Sequence, residues 1–263
     1  MNVRKNFYEF YWRMQRIIAP SLKYSQNIFE DVIKNNIKQQ CSWLDLGCGH
    51  HILPPWRYDE ERRLVQIARF LVGLDCEMRS LKKHRTIRNK IFGDISSLPF
   101  QANSFDLVTS NMVFEHLKEP KIQLKEIIRI LKPGGVLIFH TPNALGYTTF
   151  IGGLIPEFFK KKLIHFLNNR IEDDVFPTYY RINTPSKIKI LSEESGFITK
   201  EIRTIASSAQ FVMIPPLLIP ELMWIRLTMS RWFRVLRTNI IVCLVKPQNT
   251  YNDVDSTALC SRQ

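Results

Sequence analysis

The chain has 263 residues, of which 45% are hydrophobic and 23% are charged. These proportions exclude a fibrous or largely disordered protein and suit one α/β domain that carries insertions. A net charge of +13 favours an anionic neighbour, either nucleic acid or an acidic membrane surface, although a solvated basic face is an equal alternative.

The cysteines and the N-terminus bear on the cellular compartment. The five cysteines show no paired spacing. The first 18 residues mix aromatic and charged side chains and lack the continuous apolar stretch of a signal peptide. We therefore expect a cytoplasmic protein.

Seven strand-like runs alternate with helical or loop segments along the chain. They read CSWLDL, FLVGLD, KIFGD, FDLVTS, GVLIFH, FITKEIR and NIIVCLV. This alternation predicts a doubly wound α/β sheet with helices on both faces. Before the fifth run, a helix is predicted with Ile122, Ile127, Ile130 and Leu131 near one face and Pro133 beyond its end.

The first predicted strand ends in the turn LDLGCGHH. Asp45 is followed by Gly47, Cys48 and Gly49. Because glycine lacks Cβ and tolerates positive φ, such a turn lets the backbone approach a ligand closely, although glycine turns also serve plain chain reversal. The adjacent histidines at 50 and 51 suit packing or a substrate lid better than a metal site, so we expect no metal.

Two further acids follow the next two predicted strands. Asp75 ends the second strand, where a carboxylate can accept hydrogen bonds from ribose hydroxyls, or can cap a helix. Asp94 and Ile95 follow the third strand and are placed to meet an adenine amino group and ring face. Together with Asp45, these residues predict an adenosine-bearing ligand across the crevice at the strand ends.

From Trp43 to Asn143 the chain resembles the class I S-adenosylmethionine-dependent methyltransferases. The resemblance is carried, in order, by LDLGCG, VGLD, GDISSLPFQANSFDLVTSNMVFEHL and EIIRILKPGGVLIFHTPN, and more weakly by FPTYYRINTPSKIKILSEESGF. It implies a Rossmann-like seven-stranded sheet whose last strand is antiparallel, S-adenosylmethionine as the cofactor, and methyl transfer as the activity.

The resemblance also implies which residues bind the cofactor. The set comprises Asp45, Gly47, Cys48 and Gly49 at the methionine part, Asp75 at the ribose, Asp94 and Ile95 at the adenine, and Asn111 and Met112 near the sulfonium. Members of the family usually have a further glycine where this chain has His51, and Pro54 and Pro55 prevent a helix from starting there. The local turn is therefore expected to differ.

Catalysis and acceptor binding are expected after the fourth and fifth strands. His116 is the candidate general base, with packing or capping as the alternative. Tyr179, Tyr180 and His140 are candidate substrate contacts, with core or lid packing as the alternative. We expect a small-molecule or lipid-like acceptor and oxygen as its target atom. RNA methylation, a non-catalytic scaffold and a nicotinamide-dependent oxidoreductase are the competing interpretations.

The expected organisation has three parts. Residues 1–40 form an N-terminal helical segment that covers the cofactor site, residues 41–247 form the main domain, and residues 248–263 form a flexible tail. Two insertions are expected in the main domain, at about 146–181 and 207–238. The second contains FVMIPPLLIPELMWI, which is too short to span a bilayer and either packs on the domain or makes peripheral contact with an anionic membrane.

Overall fold

The structure is a computed structural model that describes residues 3–154 and 176–248. Seven strands form one sheet in the order β3-β2-β1-β4-β5-β7-β6. Strands β1 to β5 are parallel, whereas β7 runs antiparallel to both β5 and β6. The predicted sheet and its antiparallel last strand are therefore confirmed. The strands are β1 Ser42–Leu46, β2 Phe70–Asp75, β3 Asn89–Phe92, β4 Phe105–Asn111, β5 Leu131–Pro142, β6 Ile198–Ile205 and β7 Asn239–Val245.

Helices cover both faces of this sheet. They are α1 Val3–Ile18, α2 Ser25–Asn36, α3 Tyr58–Ile67, α4 Met78–Lys83, α5 Pro120–Ile130, α6 Tyr147–Leu154, α7 Pro185–Glu194 and α8 Pro215–Thr228. Short 3₁₀ turns occupy Pro55–Arg57, Phe114–His116 and Arg234–Leu236. None of the helices in the described part of the chain is long and apolar enough to cross a membrane.

The core lies on both faces of the sheet because successive strand residues point to opposite sides. On one face, Leu44 packs in a cluster with Ile127 of α5. On the other, Trp43 packs in a cluster with Phe29 of α2. The prediction for α5 was wrong at two positions. Ile122 is 46% exposed, and it is Leu124 that completes the buried face. Leu131 is buried as predicted, but as the first residue of β5 after the helix ends at Ile130.

A third cluster joins the N-terminal segment to the second insertion. Tyr11 of α1 is buried there with Leu218, Leu222 and Ile225 of α8. Two of the expected segments are described only in part, since residues 155–175 of the first insertion and 249–263 of the tail lie outside the described residues. The boundaries of the expected organisation stay a prediction.

Candidate cofactor and acceptor site

The strand order determines where a ligand can bind. The chain builds β1, β2 and β3 outward in one direction and then returns to place β4 on the other side of β1. At such a reversal the connections after β1 and β4 leave in opposite directions, so a crevice opens at the carboxyl ends of the two strands. Asp45 and the glycine turn lie at this edge.

The two glycines of the turn have different roles. Gly47 and Gly49 adopt φ values of 63° and 52°. A Cβ on Gly47 would lie 2.3 Å from Cγ2 of Val113, whereas a Cβ on Gly49 would meet no atom within 4 Å. Gly47 is therefore required by the packing of the protein itself, while the backbone at Gly49 faces open space that a ligand can enter.

Cys48 can serve a ligand only through its backbone. Its thiol is buried against the sheet, and a Cβ on Gly73 would lie 2.8 Å from Cys48 Sγ. The Cys48 N–H donates to the carbonyl of Leu74 at 3.2 Å. Burial raises the pKa of the Cys48 thiol, which keeps it neutral.

The carboxylate of Asp75 is held by two backbone N–H groups. Oδ2 accepts from Gly49 and Oδ1 accepts from Glu77, each at 2.8 Å. Burial raises the pKa of Asp75, and these two hydrogen bonds oppose that rise. Each carboxylate oxygen keeps a second lone pair, so the arrangement fits the two hydroxyls of a ribose.

Asp45 is a buried acid at the end of a chain of two hydrogen bonds. Its Oδ1 accepts from Thr109 Oγ1 at 2.5 Å, and Thr109 Oγ1 accepts from Trp43 Nε1 at 2.7 Å. Burial raises the pKa of Asp45 to about 7; the hydrogen bond from Thr109 opposes this rise, and the neighbouring acids Glu61 and Asp75 contribute to it. A positively charged ligand group would relieve this repulsion, which fits the methionine part of S-adenosylmethionine.

Asp94 and Ile95 face different surroundings. Asp94 is exposed, and its Oδ1 accepts the N–H of Ser96 at 2.6 Å, so Oδ2 is directed away from that turn. Ile95 is buried and packs in the same cluster as Leu74 of β2. The acid is thus presented to solvent near the end of β3, whereas most of the isoleucine side chain serves the core.

The turn after Gly49 is anchored by a buried acid and does not start a helix. Ile52 and Leu53 enter the core, and the Leu53 N–H donates to Oε2 of Glu61 at 2.8 Å. The next helix, α3, begins only at Tyr58. A dinucleotide pyrophosphate needs a helix N-terminus directly after the glycines, so this geometry disfavours the nicotinamide interpretation.

The histidines at 50 and 51 lie in this turn, the first half-buried and the second exposed. Across residues 3–154 and 176–248, no group of three or more His, Cys, Asp or Glu side chains is arranged to hold a metal ion.

Asn111 and Met112 end β4 at the crevice. Met112 adopts φ 58°, and its N–H donates to the carbonyl of His140 at 2.8 Å. Asn111 Nδ2 donates to Oε1 of Gln26 at 2.8 Å, and Gln26 Nε2 donates back to Asn111 Oδ1 at 3.3 Å. Sequence reasoning missed Gln26, because no local pattern connects α2 with the end of β4.

His140 is fully buried, and both of its ring nitrogens are engaged. Nδ1 donates to Oδ1 of Asn111 at 2.9 Å, because that oxygen can only accept. Nε2 accepts from Nδ2 of Asn239 at 3.0 Å. Burial lowers the pKa of His140 to about 3, so the ring is neutral. In this arrangement His140 holds the side chain of Asn111, and its candidate role in substrate contact stays a prediction.

The segment at 176–181 folds back onto the turn after β4. His116 Nδ1 lies 2.8 Å from the carbonyl oxygen of Pro177 and must donate to it. The backbone N–H groups of Tyr179 and Tyr180 donate to the carbonyl of Glu115 at 2.7 and 3.2 Å. Three of the candidate catalytic and substrate residues are thus brought together. We call residues 176–181 the acceptor loop.

Comparisons with known proteins agree with this fold and with methyl transfer as the chemistry. Residues 44–139 match the family described as Methyltransferase domain. A demethylmenaquinone methyltransferase of Renibacterium salmoninarum is 41% identical over 71 residues, which cover 26% of this chain and 30% of that protein. A malonyl-[acyl-carrier protein] O-methyltransferase of Coxiella burnetii is 38% identical over 71 residues, which cover 27% of this chain and 24% of that protein.

A solved structure agrees at the level of the fold. An S-adenosylmethionine-dependent methyltransferase from Mesorhizobium loti superimposes with a TM-score of 0.52 at 16% identity, covering 82% of this chain and 95% of that one. The chain spans about half or less of the length of the curated relatives that it matches. Residues 44–139 are therefore a methyltransferase domain, and the strand order of the chain is that of a solved S-adenosylmethionine-dependent methyltransferase.

Proposed function

We propose that this chain transfers a methyl group from S-adenosylmethionine to an oxygen atom of a small-molecule or lipid-like acceptor. The observation that carries the choice of oxygen is the tautomer of His116. Because Nδ1 donates to the Pro177 carbonyl, the neutral ring has its lone pair on Nε2. Nε2 lies 3.9 Å from Glu115 Oε1, beyond hydrogen-bond distance, and no donor within the described ranges bonds to it, which supports its lone pair as the base.

The chemistry needs positioning more than covalent help. The bound cofactor supplies an activated methyl group on a positively charged sulfur. The protein has to hold the acceptor in line with that methyl group and take up the acceptor's proton. His116 ends the 3₁₀ turn that follows Met112, and we expect it to receive the proton of an acceptor hydroxyl as the oxygen attacks. A carboxylate acceptor is already ionised near neutral pH and needs no base.

The acceptor loop suggests the character of the acceptor. Lys118 Nζ and the Arg181 guanidinium lie 5.8 and 6.0 Å from the ring centre of Tyr179. An aromatic face flanked by two cations suits an anionic or aromatic acceptor. The names of the two relatives point to a quinone-type lipid and an acyl conjugate, which supports an acceptor of this class. Only the name of the malonyl-[acyl-carrier protein] O-methyltransferase specifies oxygen.

A matched pair of variants tests the role of His116. In His116→Asn, the amide Nδ2 can replace the Nδ1 donor to Pro177, but no base remains. We expect kcat for an oxygen acceptor to fall by about 10²-fold or more. Binding of S-adenosylhomocysteine, measured by calorimetry, should stay unchanged. Lys125→Gln, on the exposed side of α5, is the control. An unchanged kcat in His116→Asn would remove His116 from the mechanism.

The acceptor class is tested with isotope-labelled S-adenosylmethionine and separate pools of quinols, carboxylates, amines and RNA. Label in quinol or carboxylate products supports the proposal. Label only in RNA or amines would overturn the assignment to oxygen. Cofactor binding without label in any pool would favour the scaffold interpretation.

A further inference from the structure

Helix α8 is apolar on both of its faces. Its inner face is buried, with Leu218, Leu222 and Ile225 packed against α1. Its outer face nevertheless consists of large apolar side chains, among which Met223 is 61% exposed. A helix that is hydrophobic all round is ordinarily buried on all sides. The composition of the outer face of α8 is therefore that of a surface that binds a partner.

The exposed apolar surface continues beyond the end of the helix. Trp232, in the turn that follows α8, is 90% exposed. We define the α8 patch as the exposed apolar residues of α8 and this turn, namely Leu217, Met223, Trp224, Leu227, Trp232, Phe233 and Val235. Large exposed apolar side chains that follow one another along a helix and the turn after it are uncommon on proteins that act alone, and they mark an interaction surface.

The exposed charges of residues 207–238, which contain the α8 patch, all have one sign. Arg226, Arg231 and Arg234 are exposed beside it. The single acid between residues 207 and 238 is Glu221, which is buried. Its carboxylate accepts the N–H groups of Gln210 and Phe211 at 2.7 and 2.9 Å and the Tyr147 hydroxyl at 2.6 Å. The surface that faces outward is thus apolar and cationic.

We propose that the α8 patch docks the protein on an anionic membrane surface. Exposed tryptophans and leucine-type side chains insert at the boundary between headgroups and acyl chains, and neighbouring arginines pair with anionic lipids. A second copy of this chain fits less well, because two copies with a net charge of +13 repel each other. Nucleic acid would pair with the arginines but would leave the aliphatic residues against its phosphates. This inference is independent of the methyl-transfer reaction.

Co-sedimentation of the full chain with lipid vesicles tests the proposal. One vesicle contains only phosphatidylcholine, and the other is an equimolar mixture of phosphatidylcholine and phosphatidylglycerol. We expect sedimentation with the anionic vesicle and little with the neutral one. Replacing Arg226, Arg231 and Arg234 by Gln should weaken partitioning by about fivefold per arginine. The double variant Met223→Ser/Trp232→Ser should lose binding at physiological salt.

Matched controls separate the patch from general charge and hydrophobicity. Replacing Lys125, Lys187 and Lys189 by Gln removes three exposed positive charges on α5 and α7, and Ile122→Ser/Ile190→Ser removes two exposed apolar side chains on the same helices. Both controls should bind as the unaltered chain does, and circular dichroism should show that all variants are folded. The proposal is overturned if the unaltered chain fails to bind, if it binds neutral vesicles equally, or if the controls lose as much binding as the patch variants. A dimer in light scattering that Met223→Ser/Trp232→Ser disrupts would assign the face to a second copy instead.

Discussion

Gln26 of α2 and Asn111 at the end of β4 exchange two amide hydrogen bonds, although 85 residues separate them in the chain. Asn111 is also held by His140, so a residue at the crevice is fixed from α2 and from β5. If residues 1–40 cover the cofactor site, as we expect, breaking the Gln26 contact should weaken cofactor binding.

The first prediction concerns Gln26→Leu. Loss of two amide hydrogen bonds, one of them long, should weaken binding of S-adenosylhomocysteine by about tenfold, because a net hydrogen bond contributes about 1 kcal/mol. Isothermal titration calorimetry measures this directly. Gln39→Leu, at an exposed position after α2, is the control and should bind normally. Equal affinities in both variants would mean that α2 does not order the site.

Asp45→Asn is expected to stabilise the fold while it damages the site. The pKa of Asp45 is raised from 3.8 to about 7. Between these two pH values, Asp45 is therefore protonated in the folded state and ionised in the unfolded state. Stability contributed by this group therefore falls as pH rises from about 4 to 7, by at most about 4 kcal/mol. The variant removes that loss and should melt at a higher temperature at about pH 8. A lower melting temperature than the unaltered protein at that pH would contradict the prediction.

Cofactor binding should itself depend on pH through the same carboxylate. A cationic ligand group favours ionised Asp45 and lowers its pKa, so binding releases a proton when the pH is below about 7. We expect the affinity for S-adenosylmethionine to rise between about pH 6 and about pH 8 and then to level off. Calorimetry in buffers of different ionisation enthalpy counts the released protons. The same pH profile in Asp45→Asn would assign the effect to another group.

The two glycines should respond differently to alanine. Gly47→Ala places a Cβ 2.3 Å from Val113 Cγ2 at positive φ, and we expect a loss of roughly 3 kcal/mol of unfolding free energy. Gly49→Ala meets no protein atom, so it should cost only about 1 kcal/mol of strain but should strongly weaken cofactor binding. Thermal unfolding and cofactor titration distinguish the two. Adding Val113→Ala should restore part of the stability of Gly47→Ala and none of the affinity of Gly49→Ala.

Much of this architecture follows from local sequence patterns. The apolar runs predicted all seven strands, and the glycine turn and acids predicted the edge of the sheet where a ligand would bind. The contacts of His140 did not follow from the sequence, because they join it to Asn111 and Asn239, which lie 29 and 99 residues away in the chain. The orientation of Ile122 was misjudged because Gln123 and Leu124 share the buried face of α5. The polar Gln123 interrupts the helical spacing of apolar residues from which the buried face was predicted.

The hydrogen bond from Tyr147 to Glu221 joins α6 to α8, and Thr149 on the same helix α6 interacts with the side chain of Tyr180 in the acceptor loop. One helix therefore connects the loop beside His116 with the base of the α8 patch. A rotation of α8 that kept its own packing would break the Tyr147 contact or carry α6 along with it. The position of residues 176–181 and the tilt of α8 are thus geometrically linked through α6.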